Sequence, residues 1–230
     1  MADTTKRLRT DGRSTRWNAH KARRQADLLD AAVAAIEEHG PDIGVQQIAE
    51  RLGIPRSVVY RHFKDRADLD ELIRQRIMDS LMAELAPALE PDGTVLSSIR
   101  RSVDAYLGWI AAHPRLHAFL GAGSRGPGRG SRAVAGTKAA IAVRTGDVFA
   151  GLLGAFGKDT ALAPSIASGL VGFVDAAVNN WLAGKGNELS TDELAEFLTW
   201  SIWAVLEGTL RRSGVELTPE HPVSDLPATR

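Results

Sequence analysis

Two stretches of this sequence hold residues whose types and spacing could do chemistry, and the first of them is rich in glycine. Residues 121–132 read GAGSRGPGRGSR and contain the pattern Gly-x-Gly-x-x-Gly. Between a buried strand and a helix, this pattern binds the pyrophosphate of a dinucleotide. No run of alternating β-branched residues precedes it, so we interpret the stretch as a connection between helices. As an alternative, Arg125, Arg129 and Arg132 could contact an anionic ligand.

Groups for catalysis or metal binding are otherwise sparse. The chain has no cysteine, which excludes disulfides, thiol catalysis and cysteine-ligated zinc. His113 and His117 are four residues apart, but Pro114 stands between them and no carboxylate is near in the sequence. No grouping of Ser, His and Asp suggests a catalytic triad. We therefore expect no metal, no cofactor and no enzymatic activity.

The second stretch is basic and reads GIPRSVVYRHFKDR at residues 53–66. A short helix is predicted over 55–63, with Val59 and Phe63 spaced to face a core. The residues left on its outer face are Arg56, Ser57, Val58, Tyr60 and Arg61. In a DNA major groove, Arg can bond to guanine, Ser can reach several base edges and a Val methyl can contact thymine. The residues placed to reach phosphates are Tyr60, His62, Lys64 and Arg66. The alternative is a solvated polar face on a small helical bundle.

Apolar residues recur with helical spacing on both sides of this stretch. Two helices over 16–39 and 45–52 precede it, and Gly53 marks a turn, which together are typical of a helix-turn-helix. Asp65 can cap a long helix that runs to about Leu89. Further helices are predicted over 94–113, 114–120, 132–156, 162–183 and 191–212. The sequence therefore predicts an all-α fold of about nine helices.

Charge is distributed unevenly along a chain whose formal net charge is zero. Residues 1–66 hold 13 Lys and Arg against nine Asp and Glu, and the rest of the chain is correspondingly acidic. A basic head on an acidic body favours a nucleic-acid partner. We expect a disordered basic arm at 1–14, a helix-turn-helix domain at 15–66, a helical body at 67–213 and a flexible tail at 214–230. The lack of cysteine, of a secretory signal and of a long apolar run favours a cytoplasmic protein with no membrane span.

A family resemblance lies in residues 43–73, which read IGVQQIAERLGIPRSVVYRHFKDRADLDELI. Ile-Ala before a Leu-Gly turn, then Tyr-x-x-Phe-Lys and an Asp that opens a long helix, resembles the DNA-binding head of the TetR family of transcriptional regulators. The resemblance covers about residues 20–75. It implies base or groove contacts from Arg56, Ser57, Val58 and Arg61, and phosphate contacts from Tyr60, His62 and Arg66, with Gln46 near the groove.

Two positions and the N-terminal arm differ from that pattern. Gly44 stands where a Thr often caps the second helix, and Pro55 where a Ser often caps the third, so those two hydroxyl contacts are not expected. The arm carries Lys6, Arg7, Arg9, Arg13 and Arg16, which add salt-dependent affinity or, alternatively, enter a minor groove.

The resemblance implies that the body binds a small molecule and forms a homodimer. The interface is expected on the helices at 162–183 and 191–212, through Gly169, Gly172, Ala176, Phe197, Trp200 and Ile202. The candidate lining of a mostly apolar pocket is Met78, Leu81, Met82, Tyr106, Trp109, Ile110, Phe149, Leu152 and Phe173.

These features together predict a repressor that binds a palindromic operator as a homodimer and is released by an apolar effector. Two alternatives remain open from the sequence. One is an all-α enzyme or small-molecule carrier with a helix-turn-helix-like bundle, and the other is a DNA-binding regulator controlled by a protein partner.

Overall fold

The computed structural model describes residues 12–122, 130–184 and 189–226, with side chains from residue 20 onward except at position 122. Over these ranges the chain forms nine α-helices and no strand, which confirms the predicted all-α fold. The helices are α1 Gly12–His39, α2 Val45–Arg51, α3 Arg56–Val59, α4 Arg66–Ala88, α5 Val95–Ala112, α6 Pro114–Ala122, α7 Arg132–Ala155, α8 Ala163–Leu182 and α9 Thr191–Arg212. A single 3₁₀ turn at Val223–Asp225 follows them. None of the described helices is long and apolar enough to cross a membrane.

Helices α1 to α3 pack around one apolar core and form the head. Leu28, Ala32 and Ile36 on α1 are buried at spacings of four, so one face of the helix meets Ile48 of α2 and Val59 of α3. The chain turns out of α1 at Gly40, whose φ of 95° favours glycine.

Helix α1 begins earlier than the sequence predicts. Residues 12–14 were expected in a disordered arm, but the helix starts at Gly12 and runs for 28 residues. This first turn is polar, so it has no apolar repeat from which a helix could be predicted. Residues 1–11, including Lys6, Arg7 and Arg9, lie outside the described residues.

Helix α3 is shorter than predicted, because it ends at Val59 instead of residue 63. The amide of Arg61 donates to the carbonyl of Val58 at 3.2 Å, and that of His62 to Val59 at 2.9 Å. These i to i+3 bonds tighten the chain into turns. Phe63 is nevertheless buried, at 3% exposure, so its side chain still packs in the core of the head although the helix has ended.

Helix α4 joins the head to the body. Its N-cap Asp65 accepts a hydrogen bond from the amide of Asp68 at 2.8 Å. The buried residues Leu69, Ile73 and Ile77 continue along its length, so α4 packs against α1 in the head and against α5 and α7 in the body. The body itself is built mainly from the pairs α7 with α8 and α5 with α9.

The flexible tail predicted for 214–230 is an ordered segment over 214–226. Val215 and Leu217 are buried, and the amides of Val95 and Leu96 each donate at 3.0 Å to the carbonyls of residues 221 and 219. The first amides of a helix have no acceptor within it, so the tail supplies acceptors to the start of α5. Prolines and polar residues suggested flexibility here, whereas long-range pairing fixes the segment. Residues 227–230 lie outside the described residues.

Candidate nucleic-acid interface

The outer face of α3 presents an arginine and a tyrosine that contact each other. Arg56 and Ser57 are exposed, Val58 is half-buried, and Tyr60 is 39% exposed. Nη2 of Arg56 donates to the Tyr60 hydroxyl at 3.1 Å, and the guanidinium lies 5.4 Å from the ring centroid. A guanidinium has five donors, so this pairing leaves most of them for a base edge or a phosphate.

A basic cluster surrounds His62, beside the end of α3. Burial lowers the pKa of His62 first, and the positive charges of Lys21, Arg61 and Arg24 lower it further. Its Nδ1 is buried and has no hydrogen-bond partner among the described residues. We call Lys21, Arg24, Arg61 and His62 the basic cluster. Its location next to the exposed α3 face gives this side of the head a surface that attracts phosphates.

Lys21 and Arg24 were not singled out from the sequence. They lie three residues apart on α1, so they share one helix face, and both are exposed. The charge excess of residues 1–66 was a general signal for them. Only the folded structure shows that the charges of these two residues act on His62.

The other predicted DNA contacts differ in how free their side chains are. Gln46 is exposed and donates to Glu50 at 2.8 Å, and Lys64 is exposed beside the start of α4. Arg66 is engaged inside the protein, because Nε donates to Asp70 at 2.8 Å and Nη2 to the carbonyl of Ile43 at 2.9 Å. Arg66 therefore joins α4 to the turn before α2, and its phosphate contact stays a prediction.

The predicted pocket residues do not form one wall. Met78, Leu81, Trp109 and Ile110 are buried in a core cluster that also packs against Met82 and Tyr106. Phe149 and Leu152 belong to a second cluster, and Phe173 is 37% exposed on α8. Helical periodicity identifies the inward face of each helix but not which of two cores it enters, which explains this difference.

Two grooves lie away from the predicted pocket residues. One of about 350 Å³ is lined by the start of α5, by α9 and by the ordered tail, with Arg100 and Trp200 among its walls. The other, of about 320 Å³, lies between the start of α4 and the start of α7.

A group of polar side chains lies among the apolar helices of the body. Nζ of Lys138 on α7 lies 2.7 Å from Oδ2 of Asp175 on α8. Burial, with a smaller effect from the charge of Asp175, raises the pKa of Tyr106. Burial also lowers the pKa of His117, although Asp175 opposes that change. Nε1 of Trp109 is buried without a hydrogen-bond partner in the part of the chain that the structure describes.

Five of the six predicted dimer residues are exposed on α8 and α9. Gly169, Gly172 and Ala176 are exposed. Phe197 and Trp200 are 51% and 46% exposed, and the rings of Phe173 and Phe197 lie 6.0 Å apart. Ile202 is half-buried against the first core cluster. Of the three tryptophans in this region, Trp200 is exposed and Trp203 is buried, while Trp181 is half-buried against the first core cluster and donates to the carbonyl of Leu189.

Comparison with known proteins gives one consistent result. The family model described as bacterial regulatory proteins, tetR family, matches residues 28–73. The HTH-type transcriptional regulator Rv0472c of Mycobacterium tuberculosis is 30% identical over 208 residues, which is 90% of this chain and 87% of that protein.

Solved structures show the same fold. A tetR-family transcriptional regulator from Streptomyces coelicolor superposes with a TM-score of 0.67 at 20% identity, over 89% of this chain and 94% of that one. The transcriptional regulator FadR from Bacillus subtilis, solved in complex with stearoyl-CoA, superposes with a TM-score of 0.58 at 16% identity, over 79% of this chain and 97% of that one.

The helix-turn-helix head with its basic outer face, the family match and the relative named as a regulator together identify this chain as a DNA-binding transcriptional regulator and not an enzyme. Within that class, the chain belongs to the tetR family of bacterial regulatory proteins.

Proposed function

We propose that this protein is a ligand-responsive repressor in the cytoplasm that binds a palindromic operator as a homodimer and is released by a small, mostly apolar effector. The observation that carries the proposal is the exposed pair Arg56 and Tyr60, next to the basic cluster around His62. Side chains of α3 read base edges in the major groove, and the cluster holds the adjacent backbone. A protein with only a DNA-binding head and a sensing body represses most simply by occluding the promoter.

The dimer rests on the apolar face of α8 and α9. Phe173, Phe197 and Trp200 are large, exposed and close together, and the exposed glycines of α8 let a second helix approach closely. Two copies of this face form a four-helix bundle about a two-fold axis. The two α3 helices then enter successive major grooves, about one DNA turn apart, roughly 34–36 Å.

The effector acts by preferring a different arrangement of head and body. Apolar residues of α4, α5 and α6 share a core cluster, so a molecule that enters between these helices displaces α4, which continues into the head. Its effect on operator affinity equals its differential affinity for the two arrangements, typically about 1–3 kcal/mol. The solved FadR complex supports an effector with a long apolar part, because the same fold accommodates stearoyl-CoA there.

The test is selection of bound duplexes from random DNA, repeated at two salt concentrations. We expect a palindrome to be enriched, and its binding to fall about fivefold to a hundredfold in Arg56→Ala, since a bidentate base contact contributes about 1–3 kcal/mol. Tyr60→Ala should also weaken binding, because it removes a predicted phosphate contact. Arg212→Ala, an exposed arginine on α9, is the matched control and keeps the wild-type affinity. Weak binding to all duplexes alike, with no enriched sequence, would contradict the proposal.

A further inference from the structure

The groove between head and body brings together charged residues of two helices. Lys64, Asp65, Asp68 and Glu71 line it from the start of α4, and Arg132 lines it from the start of α7. Lys64 directly follows Phe63, at the end of the segment that carries α3. The groove therefore opens beside the surface to which we assign DNA binding.

The three carboxylates of this groove are already bound to backbone amides. Asp65 accepts from the amide of Asp68 at 2.8 Å, and Asp68 accepts from the amide of Lys64 at 3.0 Å. Glu71 accepts from the amide of residue 133 at 2.8 Å, at the start of α7. Each acid thus lies at a helix N-terminus, where the positive end of the helix dipole offsets its negative charge.

The two cations of the groove have no such partners. Lys64 and Arg132 are both exposed, and in the described part of the chain neither side chain forms an ion pair or a hydrogen bond. One belongs to the head and the other to the body, and both face the same space of about 320 Å³. This arrangement leaves two positive charges free for an external anion beside a surface that binds a polyanion.

We infer that Arg132 is a DNA-contacting residue of the body, which binds the operator backbone next to the phosphate contact of Lys64. The ligand is the phosphodiester of the DNA flank, outside the bases that α3 reads. The inference rests on the proposed DNA binding and goes beyond it, because it gives the sensing body its own contact with DNA. Any displacement of the start of α7 then acts on the DNA directly, in addition to its effect through α4.

The test uses the full-length protein and the operator obtained by selection. We expect Arg132→Ala to weaken operator binding by roughly tenfold at about 0.1 M salt. The slope of log affinity against log salt should fall by about 1.8, because the homodimer loses one phosphate contact in each subunit and each contact contributes about 0.9. Arg132→Lys keeps the charge and most of the affinity. Arg144→Ala, on the same helix but in an ion pair with Glu90, is the matched control and leaves the salt slope unchanged.

Neutral methylphosphonates placed one at a time along the operator flank locate the contact. At one position in each half-site the substitution should weaken the wild type but not Arg132→Ala. Competition with inorganic phosphate at constant ionic strength distinguishes a contact that forms only with DNA from a general anion site, which would bind phosphate without DNA. Thermal unfolding and gel filtration establish that each variant is folded and has the wild-type oligomeric state.

The outcomes separate the inference from the proposed function. If the wild type enriches no sequence, the proposed function fails. If the wild type binds its operator and Arg132→Ala binds it with the same affinity and salt slope, only the inference is overturned. Binding of free phosphate, with every methylphosphonate weakening the wild type and Arg132→Ala equally, also overturns it.

Discussion

We expect His62 to couple the charge of the proposed DNA-binding surface to pH. In the free protein burial and three neighbouring cations keep its pKa below the ordinary value of 6.5. The predicted contact of His62 with a DNA phosphate would favour the imidazolium, so we expect its pKa to be higher in the complex than in the free protein. The complex then binds more protons than the free protein does. Operator affinity therefore rises as pH falls through the pKa that His62 has in the complex. It becomes constant below the pKa that His62 has in the free protein.

We expect this rise to disappear in His62→Gln when affinity is measured by fluorescence anisotropy between about pH 8 and pH 6, which spans the ordinary histidine pKa. His20→Gln, which changes an exposed histidine on α1, should keep it. An equal pH dependence in the wild type and His62→Gln would place the titrating group elsewhere.

The same lowered pKa has the opposite consequence for stability. The unfolded chain protonates His62 at a higher pH than the folded protein does, so the free energy of unfolding falls as pH decreases from about 6.5 to the folded pKa. The pH series therefore needs a check by circular dichroism that the free protein remains folded at its acid end.

Residue types and spacing predicted which side of α3 is exposed. They did not predict which arginine and lysine side chains are free and which are bound within the protein. Val59 and Phe63 are buried and Arg56 and Tyr60 exposed, as the spacing predicts, although α3 ends before Phe63. Arg66 is held by a backbone carbonyl 23 positions away in the chain. No local pattern distinguishes such an arginine from a free one, because the difference lies in a contact between distant segments.

At the scale of elements, α6 holds the end of α1. Nη1 of Arg115 donates to the carbonyls of Glu37 at 2.7 Å and Glu38 at 2.5 Å, and Nδ1 of His113 lies 2.5 Å from Oε1 of Glu37. The last carbonyls of a helix lack partners within it, so a cation from α6 both satisfies them and fixes the head against the body.

We expect Arg115→Ala to lower the free energy of unfolding by about 1 kcal/mol, because the side chain is exposed and its hydrogen bonds compete with water. Operator affinity should also fall, with an unchanged salt slope, since Arg115 orients the head without touching phosphate. Urea unfolding and salt titration measure the two effects, and Arg115→Lys should recover part of both. A reduced salt slope would instead make Arg115 a DNA contact.

The ordered tail is an element in its own right, and its anchors are testable. Leu217 is 9% exposed in the second core cluster, beside the exposed Glu216. Leu217→Ala should destabilise the protein by about 2–3 kcal/mol, the lower part of the range for buried leucines. Glu216→Ala is the control and should leave the denaturation midpoint unchanged. Equal midpoints for both variants would mean that the tail does not contribute to the fold in solution.

Helices were predicted to within a few residues where an apolar stripe met a clear start or stop signal. Helix α9 runs over Thr191–Arg212 as expected, because Ser190 caps its first turn and Glu193 returns the hydrogen bond. The start of α1, the end of α3 and the tail were missed. The start of α1 is polar and shows no apolar repeat, while the end of α3 and the tail depend on hydrogen bonds that periodicity does not encode.

At the scale of the whole molecule, a single head supplies only half of a palindromic contact. The affinity of the proposed repressor for a full operator therefore depends on its second subunit. The apolar face of α8 and α9 is the surface proposed to provide it, because water-exposed aromatic rings at this density are unfavourable in a monomer.

We expect the double variant Phe197→Glu, Trp200→Glu to be a folded monomer, since four carboxylates would face one another across the two-fold axis. Both side chains are about half exposed in the single chain, so the fold tolerates the change. Operator affinity should fall by at least a hundredfold while binding to an isolated half-site stays at the wild-type value. Sedimentation velocity and anisotropy on full and half operators measure the two quantities.

Val143→Glu is the matched control, because Val143 is 63% exposed but lies on α7, away from the proposed interface. That variant should remain a dimer with wild-type operator affinity. If the double variant stayed dimeric and the control dissociated, the interface would lie on α7. If both remained dimeric with full affinity, the two-fold axis would pass through neither face. Half-site binding decides whether lost affinity reflects lost pairing, because a damaged head would weaken the half-site complex as well.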